Sequence, residues 1–228
     1  MIVEDFVMLG RTVPEPSKKH GLVACSAGYS KEMRQIMRVY PLSPAMSVPR
    51  WSVCRLPLRR NSSDSRFESW RIKENEAPSI VSKVEKNTEF DFLTSISSDS
   101  IKILNDKRSS LGVIIPKISG YHFDGINPGE EFIADFFPED KKIEMKPRLV
   151  FEDAHGKHSL QIRDWGGYEF LRKNPDKHHQ LWSALKLDNN LYEHLLFVGN
   201  HNSHRNSWII ISIVSRKTTK QIDMLEGI

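Results

Sequence analysis

Cysteine is scarce in these 228 residues: Cys25 and Cys54 are the only two, and neither sits in a C-x-x-C pair. Two cysteines make no disulfide framework, and the Cys-free second half argues against a closed zinc site. The reading is two free, buried thiols acting as small hydrophobes, with a disulfide or a catalytic thiol as the lesser alternative. Long apolar runs are missing too; none approaches the roughly 20 residues needed to span a bilayer. The first residues lack a basic segment, an apolar run and a small-residue cleavage site, so the expectation is a cytoplasmic protein. Also absent are G-x-x-x-x-G-K-[ST], G-x-S-x-G, and G-x-G-x-x-G after a strand. "PEDKK" offers no strand-borne acidic pair of the restriction-nuclease kind. No catalytic residue, metal or cofactor is assigned on this reading.

What is present is charge, unevenly spread. The net charge is +4, but residues 1–73 hold 13 Lys+Arg against 6 Asp+Glu, so the rest of the chain carries a net −3. From Tyr40 to Ile72 the basic residues are all arginine: Arg50, Arg55, Arg59, Arg60, Arg66 and Arg71, with Trp51, Phe67 and Trp70 among them. A guanidinium forks onto phosphate and stacks on bases, so arginine favours recognition over mere solubility. A polyanionic partner for the basic half follows.

Period-two patterns and turn residues predict many short strands. Phe6–Leu9 and Leu22–Cys25 read as strands, the second closed by the turn residues Ser26 and Gly28. Met33, Ile36, Met37 and Val39 mix helical and strand spacing, read as a short helical turn feeding a strand that ends at Pro41, and residues 51–56 alternate as a strand. Ile80–Val84 and Phe92–Leu104 read as helical, and Val113–Ile115 as a strand stopped by Pro116. "RLVFED" and "HSLQIRDW" form a hairpin turning at Gly156. Two helical stretches break at Pro175, with Asp164 as a helix cap, and strands Leu195–Val198 and Trp208–Val214 close the pattern. The fold class is mainly β (α+β): two OB-like small barrels in tandem with inserted helices. The expected division is 1–78 for a basic N-terminal barrel, 79–110 for a helical connector, 111–217 for a second barrel, and 218–228 for a tail.

"GRTVPEPSKKHGLVACSAGY", "MRVYPL" and "RFESWRI", followed by "RSSLGVIIPKI", "HSLQIRDW" and "LFVGNHNSHRNSWIIISI", together resemble a prokaryotic family described as a nucleic-acid-binding dual OB-containing domain. The resemblance spans roughly residues 6–215 and rests on Lys18, Lys19, Cys25–Gly28, Arg38–Pro41 and Arg66–Ser69 in that order. It implies nucleic-acid binding by OB-like barrels; enzymatic activity is not implied. Some relatives carry cysteines where this chain has "EDAHGKH", so no metal role follows there.

OB barrels hold single strands in a basic groove with aromatic rings under the bases, worth about 1–3 kcal/mol per stacked base. The candidate nucleic-acid contacts are Lys18, Lys19, Arg38, Tyr40, Arg50, Trp51, Arg55, Arg59, Arg60, Arg66, Trp70 and Arg71. The competing reading makes the two tryptophans core residues and pairs Arg66 with Glu68. A polar loop with Asn200, His201 and His204 is the candidate ligand or partner contact. The expected function is a nucleic-acid-binding module, an accessory subunit of a larger complex with a protein partner and a possible place in antiviral defence. Two alternatives stand beside it: a metal-dependent nucleic-acid-processing enzyme using His158, Asp164, His201 or His204, and an interaction subunit with an acidic partner.

Overall fold

Burial alternates along the first strand, β1 (Ile2–Arg11), placing Val3, Phe6 and Met8 inside a barrel and Leu9 against a second layer. This is a computed structural model, and it describes residues 1–17, 20–125, 145–202 and 204–218. After β1 come β2 (Glu15–Ser17), β3 (Gly21–Ser30), β4 (Gln35–Leu42), β5 (Ser52–Arg60), β6 (Ser69–Ile72) and β7 (Ser79–Lys83). The hydrogen-bonded path β1-β3-β4-β6-β5 returns to β1, which closes a five-stranded barrel. Every pairing in it is antiparallel except β4 with β6. This is a Greek-key barrel of the OB-like kind. Phe6, Met37, Cys54 and Leu58 fill it without exposure. β1 and β3 approach closely at Gly28, where a Cβ would lie 2.1 Å from the Val7 carbonyl oxygen.

The second sheet takes β8 (Ser97–Ser98), β9 (Leu111–Ile114), β10 (Lys117–Gly125), β11 (Met145–Asp153), β12 (Gly156–Ile162), β13 (Tyr192–Asn200) and β14 (Trp208–Lys217). Its order is β10-β11-β12-β14-β13-β9-β8, and β12 pairs with β14 in parallel. β9 and β10 are parted only by Ile115 and Pro116, so the chain passes directly from one side of the sheet to the other. Helix α1 (Glu89–Ser95) precedes this sheet, α2 (Ile101–Asp106) lies between β8 and β9, and α3 (Trp165–Lys173) and α4 (Leu181–Ala184) lie between β12 and β13. Asp164 caps α3 as expected, accepting from the Gly167 amide at 2.8 Å.

Three apolar clusters result. One fills the first barrel, and a second lies inside the second sheet around Phe151, Leu181 and Trp208. The third joins Leu9, Ala27 and Trp51 of the first sheet to Leu195, Phe197 and Ile211 of the second, so the two layers share a dry contact.

Several local expectations need correction. Ile80–Val84 is not helical: β7 extends the free edge of β5, with Cys54 opposite Ile80. Such a ladder outweighs the weak helical spacing of a five-residue run. The single helix expected over Phe92–Leu104 is two: α1 ends at Ser95, β8 intervenes, and Ser100 caps α2 through a bond from the Ile103 amide. Residues 79–110 therefore hold two strands as well as two helices. Ser26 and Gly28 are buried within β3 rather than in a turn. Pro41 lies inside β4 at a register shift, where its missing N–H breaks no regular ladder. No described helix is long and apolar enough to cross a membrane.

Candidate nucleic-acid interface

The arginines read together from the sequence divide into two sets. Arg38 is 4% exposed and Arg66 7%, and both are built into the contact between the two sheets. Arg38 extends from β4, where Met37 and Val39 face the barrel core. Its Nη1 donates to Cys25 Sγ at 2.8 Å, and its Nη2 to the Ser110 carbonyl at 3.0 Å and the Asn200 carbonyl at 3.4 Å. Arg66 forks onto Asp64, with Nε to Oδ1 at 2.9 Å and Nη2 to Oδ2 at 2.6 Å. Its remaining nitrogen reaches the Asn200 carbonyl at 2.8 Å. Glu68 is not the partner of Arg66 that the "RFES" spacing suggested: it accepts from the Ser110 amide at 2.7 Å and from the Ser110 hydroxyl at 3.1 Å. Burial works to raise the Asp64 carboxyl, but hydrogen bonds from Arg66 and Ser69 outweigh it and hold Asp64 below the usual carboxylate range.

The other arginines of the segment lie toward solvent. Arg55 pairs with Glu4 at 3.1 Å and Arg59 with Glu74 at 2.7 Å, with all four side chains at least two-fifths exposed. Arg60 stacks over the Trp70 ring at 4.6 Å and donates to the Phe67 carbonyl. Arg71 stands directly across from Arg59, and its Nη2 lies 3.4 Å from His20 Nε2. Arg50 reaches the second sheet, bonding Ser212 and lying 3.9 Å from Asp164. Burial pushes the Asp164 carboxyl up, and Arg50 partly offsets that.

Trp51 and Trp70 are core residues, each 8% exposed, so neither ring is open to a base. Trp51 belongs to the shared cluster, and Trp70 to the interior of the first barrel. The Trp51 backbone sits at φ 68°, held by bonds from its amide to the Met8 carbonyl and from the Val84 amide to its own carbonyl. Lys18 and Lys19 lie outside the described residues.

Between the two sheets opens a cleft of about 450 Å³. On the first barrel's side its walls are Thr12 and Cys25, then Arg38 and Tyr40 of β4, then Asn61, Ser63, Asp64 and Arg66 of the loop after β5. Arg163, Asn200, His201, Asn202 and Ile209 close it from the second sheet. Five sequence candidates thus meet here from both halves of the chain: Arg38, Tyr40, Arg66, Asn200 and His201. His204 lies exposed in the same loop, outside the cleft walls. Arg163 was not among the candidates, and the hairpin pattern in which it lies carries no charge signal to single it out. Two buried polar atoms on the cleft residues, Arg38 Nε and Asn200 Oδ1, have no hydrogen-bond partner among the described residues.

The groups named for an enzyme do not converge. His158 pairs with Asp153 at 2.8 Å on the β11–β12 hairpin, Asp164 lines a separate cavity of about 210 Å³, and His201 lines the cleft. Among the described residues no three His, Cys, Asp or Glu side chains are grouped for a metal ion. A larger cavity, about 620 Å³, opens on the second half, but Asp91, Asp188 and Glu193 on its wall make it a poor receptor for phosphate.

Residues 3–95 match the family model described as Domain of unknown function (DUF8758), a stretch running from β1 to the end of α1. Comparison with curated protein sequences gives no match. Solved structures of similar course include the Ifi202 HINa domain in complex with 20 bp double-stranded DNA: 11% identity, 96% of this chain and 99% of that chain covered, TM-score 0.40. A murine DNA-binding protein bound to double-stranded DNA aligns at 9% identity over 96% of each chain, TM-score 0.35. A Replication Protein A heterotrimer bound to single-stranded DNA aligns at 11% identity, with 87% of this chain and 43% of that chain covered, TM-score 0.35.

Proposed function

We propose that the chain is a nucleic-acid-binding module of two OB-like barrels in tandem, taking an unpaired strand at the cleft between them. The carrying observation is the cleft's position. OB barrels bind oligonucleotides on the face of their second and third strands, between the loop after the first strand and the loop before the last. In the first barrel those are β3, β4, the loop after β1 and the loop between β5 and β6, and the first barrel's side of the cleft draws on all four. The second sheet supports the tandem reading because its order repeats: β9 and β10 act as one first strand broken at Pro116, and the helices α3 and α4 fall between its third and fourth strands. On this reading the first barrel extends through β7, and the second runs from β9 to β14. Arg55, Arg59 and Arg71 add a phosphate-attracting wall outside the cleft. Kinship with the dual OB-containing family, an accessory role and a protein partner extend this reading on the motif resemblance alone.

The test is fluorescence anisotropy with labelled single- and double-stranded DNA and RNA across a salt series. The expected result is a preference for single strands and an affinity that falls steeply with salt. Arg163→Gln with His201→Ala weakens binding about tenfold at fixed salt. Arg55→Gln with Arg59→Gln and Arg71→Gln chiefly flattens the salt dependence, by about 0.7 in the log–log slope for each phosphate no longer neutralised. No binding at low salt by the folded protein overturns the reading.

A further inference from the structure

One aromatic ring of the arginine-rich segment is open to solvent. Trp51 and Trp70 are buried, but Phe67, in the loop between β5 and β6, is 48% exposed. Its neighbours put it there. Arg66 and Glu68 on either side are buried and bonded, Arg66 to Asp64 and the Asn200 carbonyl, Glu68 to Ser110. The Ser69 amide donates to the Arg66 carbonyl at 3.0 Å, closing a tight turn with Phe67 at its corner. Arg60 donates to the Phe67 carbonyl and pins the same turn. With both neighbours held inward, the Phe67 side chain joins the core only if those bonds break. A ring held out by a fixed turn loses little freedom when something stacks on it. The other aromatic among the exposed large hydrophobic residues is Tyr121, which already lies against Trp182 at 4.8 Å beside the acidic cavity of the second half.

The charges presented around Phe67 are of one sign. Asp64 and Glu68 are turned inward, where they accept from Arg66, Ser69 and Ser110. Arg60 and Arg205 are exposed, and among the described residues no carboxylate lies within ion-pair distance of either. Arg205 comes from the loop between β13 and β14, and its Nη2 donates to the Ser65 hydroxyl at 2.9 Å. The second half of the chain thus brings its own guanidinium to this loop. A guanidinium has five N–H donors, so one bond to a hydroxyl leaves most of them for a ligand.

We infer that Phe67 is the ring on which an unpaired base of a single strand stacks, with Arg60 and Arg205 drawing the phosphates beside it. The inference rests on the nucleic-acid reading above and names the residue that holds a base, a part the two buried tryptophans cannot take. The loop between β5 and β6 is one of the two that flank the ligand face of an OB barrel, and it carries both Arg66 on the cleft wall and Phe67 toward solvent. Stacking needs an open π-face and accepts any base, whereas the bases of a duplex already stack on one another. An exposed phenyl ring alone fits many partners; a ring with guanidiniums bonded to the same loop fits a nucleotide, which is flat and apolar at one end and anionic at the other.

Anisotropy with two labelled strands separates stacking from charge. One is a single-stranded DNA of about 12 nucleotides; the other keeps the same sugar–phosphate backbone but is abasic throughout. The expected result is that Phe67→Ala weakens binding of the base-bearing strand about fivefold or more, and changes the abasic strand by less than about twofold. Phe67→Trp restores the affinity, Phe67→Leu does not, and neither alters the salt slope. Arg60→Gln with Arg205→Gln lowers that slope for both strands alike, by about 0.7 for each phosphate no longer neutralised. The Phe67 variants unfold at the wild-type temperature, because the ring is exposed. Wild-type affinity of Phe67→Ala for the base-bearing strand overturns the stacking assignment and leaves the module reading intact. An equal loss with both strands makes Phe67 a support of the loop and overturns it as well. Self-association in sedimentation velocity that Phe67→Ala abolishes assigns the ring to a contact between copies, and overturns it too. If the wild-type protein binds neither strand at low salt, the nucleic-acid reading itself fails.

Discussion

Two surfaces of the same barrel use arginine in opposite ways. At the junction with the second sheet, Arg38 and Arg66 are buried and hydrogen-bonded to backbone carbonyls, with the carboxylates of Asp64 and Glu68 built into the same contact. On the wall of β5 and β6, Arg55 and Arg59 hold exposed carboxylates, and Arg71 faces Arg59. The residue type is shared; the solvent is not. A buried guanidinium needs every partner it has, because an uncompensated charge in a dry contact is expensive, whereas an exposed ion pair contributes about 0–1 kcal/mol and gives way readily to phosphate. The junction arginines therefore hold the two halves in place, and the wall arginines contribute little to that hold.

The sharpest break of that contrast is at the junction. Arg38→Met leaves the Ser110 and Asn200 carbonyls without their shared donor and removes a buried charge, and should lower stability by about 3–5 kcal/mol in urea unfolding. A loss near zero would mean that the junction is no firmer than the wall. Next in size is Asp64→Asn, which weakens the fork from Arg66 by about 1–3 kcal/mol. It also changes the acid limb. Asp64 is held below its ordinary range in the folded protein, so its stabilisation is complete above about pH 4 and is lost as pH falls through the folded value. Asp64→Asn should flatten stability against pH in that acid range, and an unchanged acid limb would count against the pairing. Asp164→Ala removes the cap of α3 and should cost about 1 kcal/mol by thermal unfolding, a junction-side effect intermediate between the two sets. Smallest is Arg55→Ala with Arg59→Ala. After allowance for solvent screening, each pair should contribute well under 1 kcal/mol, and a larger drop would show the wall to be structural too.

A chemical probe extends the contrast to the thiols. Cys54 is fully buried and its thiol is pushed up to about 11 by burial, so it should resist alkylation near pH 8 until the protein unfolds. Cys25, half-buried on the cleft wall beside Arg38, should react first, and equal rates for the two thiols would contradict the burial of Cys54.

The amino-acid order alone determined what depends on neighbours. Alternation along residues 51–56 marked β5, the Gly156 turn marked the β11–β12 hairpin, and Asp164 before an amphipathic run marked a cap. Each is decided by contacts a few residues apart. The crowding of arginine and tryptophan was equally plain, but its meaning was not. Trp51 and Trp70 read either as base-stacking rings or as core residues until packing placed both in cores, and Glu68 read as the partner of Arg66 until Ser110 claimed it. Only the tertiary structure could decide these, because the Arg38 guanidinium finds its acceptors 72 and 162 residues along the chain, where no local spacing records them. Arg163 carries no local mark at all; it joins the cleft wall only when the second sheet packs against the first. Local periodicity is set by backbone geometry, whereas a cleft between sheets is set by which surfaces lose water together.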